Sequence, residues 1–339
     1  MSELKTGPDA SVSTPPATSE RPGRTITPAR IWQTVGPLAI FVILFAVVAI
    51  LQPNFISGSG LNITATSATA ILLVALAQSM VLHVGSIDLS NAAMALFSAI
   101  LLAKMLGSLG AIAPVLAIAI VTLVGAANGW LVAYTQVPSF ALTLGTLGIL
   151  QAASLVVSNS TTVYVSGNGD MISSLYQNAI GGLPMMFWIA VVLAVLLWAL
   201  LRFTTLGQSL TAVGLNESGA LFAGIRTKQM KIVAFALSGL LAGFAGMMII
   251  AQSGSASSTG LGSDLLLPAI ASAIVGGTAI TGGITNPINV VFGALTVTLV
   301  PIGAASLNIP SEAQSLVYGL VIIVAVALTT SRSRLGVVK

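Results

Sequence analysis

Residues 213–231 read VGLNESGALFAGIRTKQMK. Between Ile31 and Ser331 the chain carries ten charged side chains, and four of them (Glu217, Arg226, Lys228 and Lys231) fall in this stretch. The reading of this stretch decides where the chain meets water. The 339 residues are 56% hydrophobic and 6% charged, with a mean hydropathy of +1.03, whereas soluble domains carry roughly a quarter charged residues. So few charges cannot cover a water-facing surface, and the solvent for most of the chain is lipid. There the backbone must satisfy its own hydrogen bonds. The expected class is an all-α integral membrane protein.

The same composition excludes other classes. A net charge of +4, confined to the termini and one loop, is too small for a nucleic-acid partner. With no cysteine there are no disulfides or thiolate ligands, and one histidine among scattered carboxylates makes no metal site or cofactor cradle. No Ser/His/Asp set or pair of intramembrane carboxylates suggests catalysis.

Residues 1–28 are polar and rich in Ser, Thr and Pro, a composition that buries too little to fold, so a disordered tail is expected. The apolar run Ile31–Leu51 is longer than a signal-peptide core of about 7–15 residues, and no cleavage motif follows it. It reads as an uncleaved anchor. Runs near the length of about 20 residues that a membrane helix needs occur near 31–51, 63–84, 91–109, 112–135, 139–158, 184–203, 230–252, 264–281, 288–307 and 313–330. That gives about ten spans. Basic residues in short loops mark the cytoplasmic side. With Arg21, Arg24 and Arg30 before the first span, ten spans also put Arg202, Arg226, Lys228 and Lys231, then Arg332, Arg334 and Lys339, in the cytoplasm. Both termini are therefore expected there. Lys104 alone disagrees, and its stem can snorkel from the outer end of the third span.

The cytoplasmic loop 204–229 has no proline. Asn216 can cap a short helix, Glu217 suits its first turn, and Gly224 can end it. Ala220, Leu221 and Ala223 then offer a small apolar face, which either docks into a partner's groove or lies on the membrane.

The segment TLGQSLTAVGLNESGALFAGI at 205–225 resembles the coupling loop of ribose/xylose/galactoside-type ABC-transporter permeases, with Thr205, Gly207, Gly214, Asn216, Gly224 and Ile225 fitting its pattern. GSIDLS at 85–90, NGWLVAYTQVPSFALTLGTLGI at 128–149 and VGGTAITGG at 275–283 resemble three further motifs of that family, in order along the chain. Ser86 and Ala92 stand where the family has glycines, and LLPAIAS at 266–272 lacks two carboxylates common ahead of the last motif.

The resemblance implies a multi-pass permease subunit in a bacterial inner membrane, importing a monosaccharide. Its partners would be a cytoplasmic ATP-binding subunit, an external sugar-binding protein and a second permease copy. Gly214, Asn216, Glu217, Ala220, Leu221, Gly224 and Ile225 would couple to the ATPase. Gln78, Asp88, Ser90, Asn128, Phe140, Thr143, Gly276, Gly277 and Thr278 are candidates for the translocation path within the permease domain 29–332. From the residues alone, Asp88 and Ser90 also suit a helix cap, the glycines close packing, and the amides bridges between helices. The external loop 158–183 is long enough to dock the binding protein, and residues 333–339 form a second cytoplasmic tail. Related permeases for branched-chain amino acids or nucleosides, or a self-sufficient ion-coupled carrier, remain the alternatives.

Overall fold

The computed structural model describes residues 28–257 and 264–307, with 310, 313, 316, 319, 320, 323 and 324 beyond them. The tail of residues 1–27, the final tail 333–339 and most of the expected tenth span lie outside the described residues. Helix α1 (Pro28–Leu51) leads through a 3₁₀ turn at Pro53–Ile56 into α2 (Gly58–His83). Then come α3 (Asn91–Leu109), α4 (Ile112–Thr135), α5 (Ser139–Ser158), the short α6 (Gly169–Gln177) and α7 (Met185–Phe203). Helices α8 (Thr205–Leu215) and α9 (Glu217–Phe222) precede α10 (Thr227–Ser253), α11 (Leu266–Val275) and α12 (Pro287–Ser306). Among the described residues, seven helices are long and apolar enough to cross a membrane: α2, α3, α4, α5, α7, α10 and α12.

Helix α2 is the axis of the bundle, with 89% of its apolar window buried against 17% for α5. The sequence explains this, because Ala65, Ala68, Ala75 and Ala77 sit among Thr64, Thr66, Thr69 and Ser79 and leave small side chains on every face. Helices α4 and α10 meet more closely still. A Cβ on Gly125 would strike the Phe235 carbonyl, and one on Gly239 the Val121 carbonyl, so glycines on both sides bring the backbones together. This is the small-residue packing that lipid-embedded helices depend on.

The expected span at 264–281 is not one continuous helix. Helix α11 has ten residues, and at about 1.5 Å per residue it covers only half of a hydrocarbon core about 30 Å thick. It ends in a Schellman turn: Gly277 takes φ +84°, its N–H donates to the Ile274 carbonyl, and the Thr278 N–H donates to the Ala273 carbonyl. An irregular stretch, 276–286, then leads to α12. A shorter break, 84–90, separates α2 from α3. Non-helical backbone is tolerated at membrane depth only where protein or a water-filled cavity surrounds it. Ser86, Asp88 and Ser90 of the first break and Gly276, Thr278, Gly282 and Gly283 of the second are buried, while Gly85, Ile280, Thr281 and Ile284 are exposed. The 158–183 stretch is also structured: it holds α6, and Val163–Tyr164 pairs antiparallel with Ser255–Ala256. Asn62 Nδ2 donates to the Gly182 carbonyl at 3.2 Å, tying that stretch to α2.

Candidate functional site

The stretch 204–229 folds as two helices where the sequence suggested one. Thr204 caps α8 by accepting from the Gly207 N–H at 3.1 Å. Asn216 ends α8 and caps α9, its side chain accepting from the Gly219 N–H at 2.9 Å. Gly224 closes α9 with φ +82°, while the Ile225 N–H donates to the Ala220 carbonyl at 3.0 Å. Glu217 pairs with Lys231 at 2.7 Å.

The apolar face expected of α9 divides. Ala220 is buried and Ile225 packs beside it, so they seat the helix on its own chain. Leu221, 60% exposed, and Phe222, 91% exposed, are what remains for a partner. Phe222 was not singled out from the sequence. It is the one aromatic residue of the loop 204–229, which was the available signal.

Gly214 is corrected more sharply: it is buried and faces inward. A Cβ there would collide with the His83 carbonyl and the Gly283 backbone nitrogen. Gly282 packs as tightly on the Gly214 carbonyl and the Gly85 nitrogen. The Gly283 N–H donates to the His83 carbonyl at 2.8 Å, and His83 Nε2 bonds Thr211 of α8 at 3.0 Å. One point of contact therefore joins α8 to both breaks, because no side chain stands between the three backbones.

The first break is held by side chains. Asp88 Oδ1 accepts from the Ser90 N–H at 2.8 Å and hydroxyl at 2.6 Å, and Oδ2 accepts from Ser238 of α10 at 2.9 Å. Asn128 of α4 donates to Ser90 Oγ at 3.0 Å and accepts from Thr146 of α5 at 2.7 Å. Ser139 and Thr143 take the Ile87 and Leu89 amides at 2.9 and 3.0 Å. Ser90 occupies the cap position of α3 without making a cap bond, because its hydroxyl is committed to Asp88. Gln78 accepts from Asn91 at 2.6 Å.

Of the path candidates, Gln78, Asp88, Ser90, Asn128 and Thr143 thus gather around the first break. Gly276, Gly277 and Thr278 belong to the second. There Gly276 lies against the Val290 backbone of α12, and the Thr278 and Thr285 hydroxyls bond at 2.8 Å. Phe140, 53% exposed, stands apart on the wall of a cleft of about 650 Å³. That cleft lies between the first break, the α4–α5 turn and α9, with Ser86, Gln136, Leu221 and Lys228 also on its walls. Lys228 also sits 4.4 Å over the Tyr134 ring.

These features have relatives. The chain matches a family described as branched-chain amino acid transport system / permease component over residues 60–326. It is 31% identical over 324 residues to the L-arabinose ABC transporter permease protein AraH of Azospirillum brasilense, covering 92% of this chain and 94% of that one. It is likewise 31% identical to the D-allose transport system permease protein AlsC of Escherichia coli, covering 88% and 92%, and 32% identical to the ribose import permease protein RbsC of Haemophilus influenzae, covering 84% and 89%. No solved structure matches. A multi-pass helical bundle with two internal breaks, matched over most of its length, is thus a member of the permease family of ABC importers.

Proposed function

We propose that this chain is the membrane subunit of a sugar importer, carrying a monosaccharide that an external binding protein delivers, driven by ATP hydrolysis on a separate subunit. The observation that carries this is the contact of Gly214 with the end of α2 at His83 and with the second break, whose Gly282 in turn packs on Gly85. Helix α9 exposes Leu221 and Phe222 at the end of the molecule that holds Arg202, Arg226, Lys228 and Lys231, and α8 links that surface to the interior. The curated relatives supply the substrate class, since their names are those of arabinose, allose and ribose permeases.

Ten spans with both termini in the cytoplasm account for eleven of the twelve basic residues, counting Lys5. In that arrangement the α8–α9 end faces the ATPase, 158–183 faces the binding protein, and a second copy completes the path. Gln78, Asp88, Ser90, Asn128, Phe140, Thr143, Gly276, Gly277 and Thr278 lie along or support it. The chain has no Gly-x-x-x-x-Gly-Lys-Ser/Thr loop, so the purified permease is expected to hydrolyse no ATP. The description of the matched family favours a second reading, a branched-chain amino acid cargo. Ligand screening of the cognate binding protein separates the two.

Gly224→Val tests the coupling role of α9. A Cβ at Gly224 meets open space, so its cost is conformational, about 1–2 kcal/mol for an L-residue held left-handed. That is too little to unfold the bundle, but it weakens docking about tenfold. Membrane levels should stay normal while co-purification of the ATP-binding subunit and sugar uptake both fall. Unchanged association and uptake would remove α9 from the coupling surface.

A further inference from the structure

Four buried side-chain polar atoms among the described residues lack a hydrogen-bond partner: Gln78 Nε2, Asn91 Oδ1, His83 Nδ1 and Ser154 Oγ. The first two belong to residues already bonded to each other, Asn91 Nδ2 donating to Gln78 Oε1 at 2.6 Å. Both residues are fully buried. The pairing consumes one amide donor group and one carbonyl, leaving one amide nitrogen and one carbonyl oxygen free. Flipping both amides leaves the same remainder. A buried amide left unpaired costs about 1–3 kcal/mol, so such a pair is kept where something completes it.

The complement of one free donor and one free acceptor is a hydroxyl, which accepts from the first and donates to the second. The surroundings fit a polyol. Asp88, Ser90, Asn128, Thr146 and Ser238 form a carboxylate–amide–hydroxyl network beside Asn91, but their bonds are made among themselves. Spare capacity beside the first break is left at Gln78 and Asn91, and at His83 Nδ1 at the end of α2. The 650 Å³ cleft reaches Gly85, Ser86 and Ile87 of the same break. Gln78 and Asn91, both fully buried, are not on the cleft wall, and Gly85 packs against the Gly282–Gly214 contact that ties the break to α8.

We propose that Gln78 and Asn91 form a hydroxyl-binding site for the transported sugar, covered by residues 84–90 in this state and uncovered when α8 shifts that break. The proposal rests on the sugar-importer reading. An ordered water is the other source of a hydroxyl, and the experiment separates the two.

The test uses the complete importer in proteoliposomes, with the binding protein saturated by D-ribose, L-arabinose or D-allose and by each monodeoxy analogue it delivers. Gln78→Met with Asn91→Leu replaces both amides by apolar groups of similar size, so neither is orphaned and the fold is expected to hold. Membrane level and ATP-binding subunit recovery check this. For the sugar that the wild type imports, the double variant should lose at least tenfold in import. One monodeoxy analogue, already slowed in the wild type, should lose less than twofold further. Gln78→Asn, which keeps the donor on a shorter stem, serves as a milder second variant, expected to retain more import than the double variant and the same deoxy ranking. Equal losses for every sugar and analogue would indicate a water or simple packing and overturn the proposal, as would unchanged import. Absence of sugar import by the wild type would instead fail the importer reading itself.

Discussion

The two breaks, 84–90 and 276–286, interrupt helices inside the same bundle and touch each other, yet they are held by opposite means. Asp88 and Ser90 fix the first through side-chain bonds, with Ser139 and Thr143 of α5, Asn128 of α4 and Ser238 of α10 holding it from three helices. The second relies on backbone. Gly276, Gly277, Gly282 and Gly283 allow close approach or positive φ, the Ala279 N–H donates to the Ile284 carbonyl at 2.9 Å, and Thr278 bonds Thr285. A polar clamp keeps a break in one geometry, whereas a glycine-rich one is limited mainly by the surfaces it rests on. The difference makes the first break a unit that keeps its internal geometry when it shifts, and the second a segment that adapts to the surfaces beside it, with Gly214 against the second and the end of α2.

The strongest way to break the comparison is Asp88→Ala. It leaves the Ser90 amide, the Ser90 hydroxyl and the Ser238 hydroxyl without their acceptor, at about 1–3 kcal/mol for each buried group left unpaired. The expected outcome is a large loss of folded protein, read as membrane level and detergent-resistant monodispersity. Near-normal levels would mean that side chains do not hold the first break.

Gly214→Ala should come next. The added methyl meets the His83 carbonyl at the end of α2 and the Gly283 backbone of the second break, and overpacking of this kind costs about 1–3 kcal/mol, occasionally more. Uptake is expected to fail while the permease still inserts and α9 still binds the ATP-binding subunit. That outcome would separate transmission from docking, in contrast to Gly224→Val. Retained uptake would show that α8 is not the link.

Thr278→Val is the mildest test. It removes one hydroxyl pair, worth about 1 kcal/mol, and should lower thermal stability slightly with uptake within twofold of wild type. A collapse as severe as that of Asp88→Ala would erase the distinction between the breaks.

Much of this was legible beforehand, because it depends on local chemistry. Asn216 as a cap, Gly224 as a left-handed stop and most helix positions follow from residue type and apolar run length. The eighth run misled for a physical reason. Hydropathy measures apolar content, and LLPAIASAIVGGTAI is apolar whether it is a full helix or half of one. Asn91 carries no signal in the sequence, since nothing in spacing places it against Gln78.

By itself the sequence determined the solvent of this protein, its helical class and its likeness to importer permeases, since charge scarcity, run length and motif order are properties of the chain. Only the tertiary structure decided that Gly214 faces inward, that Leu221 and Phe222 face outward, and that two breaks separated by about two hundred residues share one contact. Such facts depend on which backbones approach closely enough to exclude a Cβ. That distance is set by the packing of the whole bundle, and no local stretch of residues encodes it.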